Sequence, residues 1–159
     1  MNHAFPPLFN GQPRALILGT FPSPISRNKS EYYGNTRNQF WKILFDVFNV
    51  PFENPSYQQK KNVLFKNSIA LWDVIESCES DNALDTSLRN LVYNTKLPSF
   101  IAVNKIPVVF FNGGKAYDFY RQGIGDIDEK VLLSTSPANA QYSYADKLTS
   151  WSKIKIATM

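Results

Sequence analysis

The sequence predicts an α/β domain built on a mostly parallel sheet with helices on both faces. Short, continuous apolar runs alternate with segments whose apolar residues recur at helical spacing, which is the pattern of buried strands joined by crossover helices. The polar, turn-rich material falls just after the apolar runs, where the carboxyl ends of parallel strands place a ligand site. With 159 residues and 43% apolar content, including twelve Phe and three Trp, the chain has the means to bury a substantial core as one domain over residues 1–159.

Arg14-Ala-Leu-Ile-Leu-Gly19 reads as the first strand, apolar on both faces and stopped by glycine. The linker to Arg37 carries Pro22, Pro24, Gly34 and several Ser and Asn residues, which favour turns; a loop of that length in a compact domain is usually functional. From Asn38 to Phe48, residues Phe40, Trp41, Leu44, Phe45 and Phe48 share one helical face, with Asn38 as candidate N-cap. Pro51 and Pro55 end that helix, and Ser56 with Gln59 forms a capping box for a second helix through Lys66.

Ile69 to Ile75 reads as the second strand, with Asp73 an anomaly inside it. Glu76 to Asp85 is polar and loop-like, Thr86 to Tyr93 offers Leu88, Leu91 and Val92 for a short helix, and Pro98 starts another through Val103. Ile106 to Asn112 is the third strand. Gly113-Gly114 turns it into a helix from Lys115 to Gln122, with Ala116, Phe119 and Tyr120 on one face. Lys130 to Leu133 is the fourth strand and runs into Ser134-Thr-Ser-Pro-Ala-Asn-Ala140, before a last helix carrying Leu148, Trp151 and Ile154. The sequence contains no internal repeat or low-complexity segment.

No apolar run approaches the length of a membrane span, and the N-terminus lacks the basic and apolar regions of a secretory signal, so a soluble cytoplasmic protein is expected. The single Cys78 has no internal partner and, with His3 as the one histidine, provides no Cys/His set for zinc. His3 near a loose terminus reads as a bystander, and Cys78 beside Glu79 has no visible activating neighbour. The formal charge of +4 suits an approach to phosphate; Arg27, Lys29 and Arg37 fall in the first polar loop, and Lys147, Lys153 and Lys155 near the end.

The loops lack a Walker phosphate loop, a dinucleotide fingerprint, a Gly-x-Ser-x-Gly elbow with an activating histidine, and a pair of carboxylates. Amides, hydroxyls, aromatics and a few cations remain. That inventory suits a flat, neutral heterocycle attached to a phosphate chain: Phe21 or Phe40 could stack on a base, amides read its edge, and Ser hydroxyls or backbone N–H groups hold the phosphates. Phe40 and Trp41 at helical spacing are more often core than ligand platforms.

Gly-Thr-Phe-Pro-Ser from Gly19, Tyr-Tyr-Gly-Asn-Thr-Arg-Asn-Gln-Phe-Trp from Tyr32, Leu-Trp-Asp-Val-Ile from Leu71, Phe-Asn-Gly from Phe111 and Ser-Thr-Ser-Pro-Ala-Asn from Ser134 occur in that order. Together they resemble the hypoxanthine-DNA glycosylase branch of the uracil-DNA glycosylase superfamily, over about Leu16 to Trp151. The resemblance implies a three-layer α/β/α sandwich with a four-stranded parallel sheet in the order 2-1-3-4. It also implies metal- and cofactor-free hydrolysis of the bond between a damaged base and deoxyribose, after the nucleotide has flipped out of single- or double-stranded DNA. Hypoxanthine is the expected base ahead of uracil and xanthine, and the enzyme is expected to be a monomer that does not engage membranes.

On that resemblance the catalytic residue matches Asn38, which would orient water or bond the base edge, or else simply cap its helix. Thr20, Phe21, Pro22, Ser23, Phe40 and Asn112 would form the base pocket, with Asn112 either reading the base or capping the next helix. Ser26, Arg37, Ser134, Ser136, Pro137, Ala138, Asn139 and Lys147 would meet the DNA backbone or wedge into the duplex, Arg37 and Lys147 being otherwise ordinary surface charges. Asp73 is readable as a carboxylate of the reaction or as an anchor for a neighbouring loop. Phe21 stands where better-known relatives keep Asp or Asn, and Asn35-Thr36 where the branch often has His-Pro. A catalytically silent nucleic-acid-binding domain and a nucleoside- or nucleotide-binding protein are the alternative readings.

Overall fold

The computed structural model describes residues 1–79 and 88–159. Four parallel strands form its central sheet: β2 (Ala15–Gly19), β3 (Ile69–Asp73), β6 (Val108–Asn112) and β7 (Val131–Leu132), in the spatial order β3-β2-β6-β7. The central strand β2 has all five residues buried, as its unbroken apolar run requires. Side chains alternate across the sheet. Ala15, Ile17, Ile69, Leu71, Phe110 and Leu132 share one core with α2 (Phe40–Val47), α3 (Tyr57–Lys66), α6 (Tyr144–Trp151) and α7 (Lys153–Ala157). Leu16, Leu18, Ala70, Val109 and Phe111 share the other with α4 (Leu97–Val103) and α5 (Gly114–Gly123).

A second, three-stranded antiparallel sheet orders β1 (Asn2–His3), β4 (Ile75–Glu79) and β5 (Arg89–Tyr93) as β1-β4-β5. It corrects three expectations. The helix expected to end at Tyr93 is a strand over Arg89–Tyr93, because Leu91 and Tyr93 turn inward toward the core while Asn90 and Val92 face out, a period of two; Thr86 and Ser87 lie outside the described residues. The loop expected from Glu76 begins instead as β4, with Ser77 and Cys78 buried; its remainder, residues 80–85, is outside the described residues. His3 is not on a loose end, since it pairs with Ser77.

Asp73 ceases to be an anomaly once β3 is seen to stop there: it is the last residue of the strand, at the sheet's carboxyl edge. The long first loop also contains an unexpected helix, α1 (Pro24–Lys29), with Ser23 as N-cap and Pro24 in the first turn. The capping box at α3 is present, with Ser56 Oγ accepting from the Gln59 amide at 3.1 Å and Gln59 Oε1 accepting from the Ser56 amide at 2.8 Å. The last helix is broken at Ser152 into α6 and α7, both docked through fully buried residues, Trp151 and Ile154. No helix among the described residues is long and apolar enough to cross a membrane.

Because the sheet is parallel, its carboxyl edge gathers Gly19, Asp73 and Asn112. Gly19 is registered with Asp73, and Leu18 with Phe111 next to Asn112. Four tyrosine phenols in this framework, Tyr32, Tyr57, Tyr120 and Tyr144, are pushed above the ordinary 10.0 chiefly by burial. The nearby Asp73 carboxylate adds to the effect at Tyr32, and a hydrogen bond to Asp46 adds to it at Tyr144.

An unfolded chain releases these protons first, so their contribution is fully present below pH 10 and is lost as the pH rises beyond it. Lys60 and Lys147, lowered by burial from 10.5, act in the opposite sense only below that value. The urea midpoint should therefore fall as the pH is raised from about 10.5 to about 11.5. Tyr32→Phe should flatten that fall while costing about 1 kcal/mol at neutral pH, because the bond from Tyr32 Oη to Pro6 O, 2.7 Å, is lost.

Candidate functional site

A cavity of about 710 Å³ opens at the carboxyl edge of the sheet. Its walls come from four places: residues 19–23 with Ser26 at and after the end of β2, Tyr32, Tyr33, Asn35, Arg37 and Asn38 before α2, Asn112 to Lys115 at and after the end of β6, and Ser134 to Asn139 after β7. Asp73, at the end of β3 beside Gly19, lines it as well.

The first loop is held by its own polar side chains. Ser23 Oγ accepts from the Ser26 amide at 3.1 Å and donates to Ser26 Oγ at 3.1 Å, and that oxygen accepts from the Gly34 amide at 2.9 Å. Ser26 is accordingly buried, so its hydroxyl braces the loop and is not presented to a DNA backbone. Arg27 donates to Pro22 O at 3.2 Å with its guanidinium over the Phe21 ring, and Lys29 donates to Gly34 O at 2.9 Å. Two of the three cations of this stretch thus act internally; Arg37 is exposed at the cavity wall.

Tyr33 follows a tightly fixed neighbour. The Tyr32 amide donates to Tyr57 Oη at 3.1 Å, and the Tyr32 carbonyl accepts from Trp41 Nε1 at 2.8 Å. These bonds set the chain at a point where Tyr33 adopts φ 52°, a left-handed conformation that costs a bulky residue about 1–3 kcal/mol. The Tyr33 ring lies face to face with Phe40, centroids 4.0 Å apart and planes 23° from parallel, and Tyr33 lines the cavity. Phe40 does not. It is fully buried behind Tyr33, so of the two rings expected to stack on a base, Phe21 lines the cavity and Phe40 presents no face to it.

Asn38 sits in the wall one residue ahead of the N-cap of α2, which is Gln39. Its Oδ1 accepts from the Phe40 amide at 2.9 Å, so it satisfies one of the free N–H groups of the helix start. Asn38 Nδ2 has no hydrogen-bond partner among the described residues. Asn112 is more fully engaged: Nδ2 donates to Thr135 Oγ1 at 3.0 Å and to Tyr33 Oη at 3.3 Å, while Oδ1 accepts from the Thr135 amide at 3.0 Å. It ties three walls together and keeps one lone pair of Oδ1 for a ligand. It is not the cap of α5, whose N-cap is Gly113 at φ 92°, packed so closely that an added Cβ would lie 3.0 Å from Ser134 Cβ.

The last wall is also self-bonded. Ser134 Oγ accepts from the Ser136 amide and Ser136 Oγ from the Ala138 amide, both at 3.2 Å, and Asn139 Nδ2 donates to Ser134 O at 3.1 Å. Ala138 is exposed at this wall, with Pro137 and Asn139 on either side half-buried. Of the expected site residues, Thr20, Phe21, Pro22, Ser23, Ser26, Arg37, Asn38, Asn112, Ser134, Ser136, Pro137, Ala138 and Asn139 all line the cavity; Phe40 and Lys147 do not. Lys147 is 4% exposed, far from a solvated phosphate-binding charge, and its Nζ donates to Gln39 Oε1 at 2.9 Å. Burial pushes its ammonium below the usual lysine value.

Tyr33, Thr135 and Lys115 line the cavity without having been expected to act there, although Lys115, exposed in the first turn of α5, was signalled by the Gly-Gly-Lys that follows the third strand; Asp73, readable as a carboxylate of the reaction or as a loop anchor, lines it too. No group of three His, Cys, Asp or Glu side chains among the described residues is placed to hold a metal. The floor is as tight as the walls: a Cβ on Gly19 would meet Asp73 Oδ1 at 2.7 Å and Tyr33 Oη at 3.0 Å. Gly19→Ala must push one of them aside, so it should destabilise the protein by about 1–3 kcal/mol in urea titration and displace the Tyr33 ring, visible as a changed aromatic NMR signal.

Comparison with known proteins agrees with this arrangement. The family model for the uracil DNA glycosylase superfamily matches residues 6–157. A hypoxanthine DNA glycosylase of Methanosarcina barkeri is 31% identical over 152 residues, spanning 94% of each chain. One of Methanosarcina acetivorans is 32% identical over 145 residues, spanning 90% of this chain and 91% of its own. A solution NMR structure from Methanosarcina acetivorans, provisionally assigned as a uracil DNA glycosylase, superposes with a TM-score of 0.76 at 27% identity, covering 99% of this chain and 98% of that one. The fold, the cavity at the sheet's carboxyl edge and a match across nearly the whole sequence place the chain in the uracil DNA glycosylase superfamily.

Proposed function

We propose that this DNA glycosylase is monofunctional and hydrolyses the N-glycosidic bond of a deaminated base flipped out of DNA, with hypoxanthine ahead of uracil and xanthine. Asn38 carries the reading: its oxygen is committed to the Phe40 amide and its Nδ2 is left to a ligand in the cavity wall. The two similar enzymes named as hypoxanthine DNA glycosylases support the choice of base. The cavity volume falls within the ~300–1,000 Å³ common for small-ligand sites.

In this reading the flipped base stacks on Tyr33, which is backed by Phe40. Asn38 Nδ2 donates to its acceptor edge. Hypoxanthine presents O6 and N7 there, as guanine does, whereas adenine presents an N6 amino donor that would leave donor facing donor. As the glycosidic bond breaks, the sugar gains oxocarbenium character and the base departs with negative charge. A fixed donor strengthens its bond to that charge without reorganising, which lowers the barrier. Phe21 brings no carboxylate to activate water and the Asp73 carboxylate is buried beside Gly19, so in this reading stabilisation of the leaving base supplies more of the rate than base catalysis does.

Duplexes carrying one hypoxanthine, uracil or xanthine, incubated with the protein and then treated with alkali, should be cut at hypoxanthine fastest; absence of scission at all three would remove the assignment. Asn38→Ala should lower single-turnover excision by about 100-fold or more. It should cost only about 1 kcal/mol of stability, from the lost bond to the Phe40 amide. Full activity in that variant would exclude Asn38 from the reaction.

A further inference from the structure

A lysine is almost never buried without a partner that needs it. Lys147 is buried on α6 and outside the cavity, and the group that its ammonium meets is an uncharged amide, Gln39 Oε1. An apolar side chain would pack there without the desolvation cost. What the ammonium holds accounts for it. Gln39 directly follows Asn38 and is the N-cap of α2, and its own amide donates to Thr135 O at 3.1 Å. The same α6 grips the chain just before Thr135, with Ser150 Oγ accepting from the Leu133 amide at 3.0 Å and Trp151 Nε1 donating to Leu133 O at 2.7 Å. Helix α6, the Leu133–Thr135 segment and Gln39 therefore form a closed ring of hydrogen bonds, in which Lys147 to Gln39 is the last link.

We propose that Lys147 is a positioning residue for base excision: by clamping Gln39 it fixes the adjacent Asn38 against the Ser134 to Asn139 loop. The inference rests on the role given to Asn38 above. Lys147 acts through Gln39 and touches no substrate, so its signature is a loss of rate without a loss of DNA affinity.

The test variant is Lys147→Met, which keeps the aliphatic stem and its packing while removing the donor. Single-turnover excision from a hypoxanthine duplex at saturating enzyme should fall on the order of tenfold, since small misplacements of a reacting group carry penalties of that size or more. The protein concentration for half-maximal rate should stay within about twofold, and the salt dependence of duplex binding should not change. Amide exchange at Gln39 should accelerate, with the amides of β2 unaffected. Gln39→Glu, which preserves an acceptor for the ammonium, should retain the rate; Gln39→Met should match Lys147→Met, and the double variant should be no slower than either.

A wild-type rate in Lys147→Met overturns the proposal. So does weaker binding with a shallower salt slope, which would make Lys147 a phosphate contact, or loss of protection in β2 together with Gln39, which would make it simple core packing. If the wild-type protein excises none of the lesions, the assigned function fails by itself. Gln39 exchange then decides the clamp, and unchanged exchange in Lys147→Met overturns it.

Discussion

Thr135 has no exposed surface, and all three of its fixed polar groups are spent on other loops. Its amide and hydroxyl bond Asn112 at the end of β6, and its carbonyl accepts the Gln39 amide at the start of α2. A loop that passes through the interior must satisfy its backbone groups, or each unpaired group costs about 1–3 kcal/mol. Here the partners are the very segments that carry Asn112 and Asn38, so the same bonds that make the buried turn tolerable also set the distance across the cavity. Asn112 extends the connection to Tyr33 Oη, which stands over Gly19. The cavity walls are thus parts of one network that no single loop could maintain.

The first loop solves the same problem with its own composition. Its serines, Arg27 and Lys29 look on paper like a surface prepared for DNA, but they bond back to the loop's own carbonyls and amides and so give it a fixed shape. That leaves the exposed Arg37 and Lys115 as the cationic side chains of the cavity walls. With few charges in play, the proposed reaction draws on rigid donors and a stacked aromatic pair more than on electrostatic attraction.

The strands β2, β3 and β6 were legible because burial on both faces writes continuous apolar runs, and α3 because its capping box is local. β4 and β5 were not, because register shifts between Ile75 and Ser77 and between Ser77 and Glu79 disrupt the regular pairing, and Ser77 is buried although polar. The helix α1 did carry its signal in Ser23-Pro24, which was submerged in a segment rich in turn formers. For the site, the three loops after the first, third and fourth strands were readable from residue type and order, and Asn38 from the family resemblance. The presence of Tyr33 in the wall in front of Phe40 was not, since it depends on a left-handed backbone at Tyr33 that no local sequence rule announces. Nor was the burial of Lys147, because a lysine near a chain end is expected in solvent and only the packing of α6 on α2 takes it inside.

In the proposed reaction Asn38 serves as a hydrogen-bond donor to the departing base. Single-turnover excision of hypoxanthine by Asn38→Asp tests it most directly, because a carboxylate keeps the size and the bond to the Phe40 amide, can orient water, and cannot donate when ionised. The variant should be as slow as Asn38→Ala with its fold intact. Excision at or above the wild-type rate would contradict it and make water orientation the role of this residue.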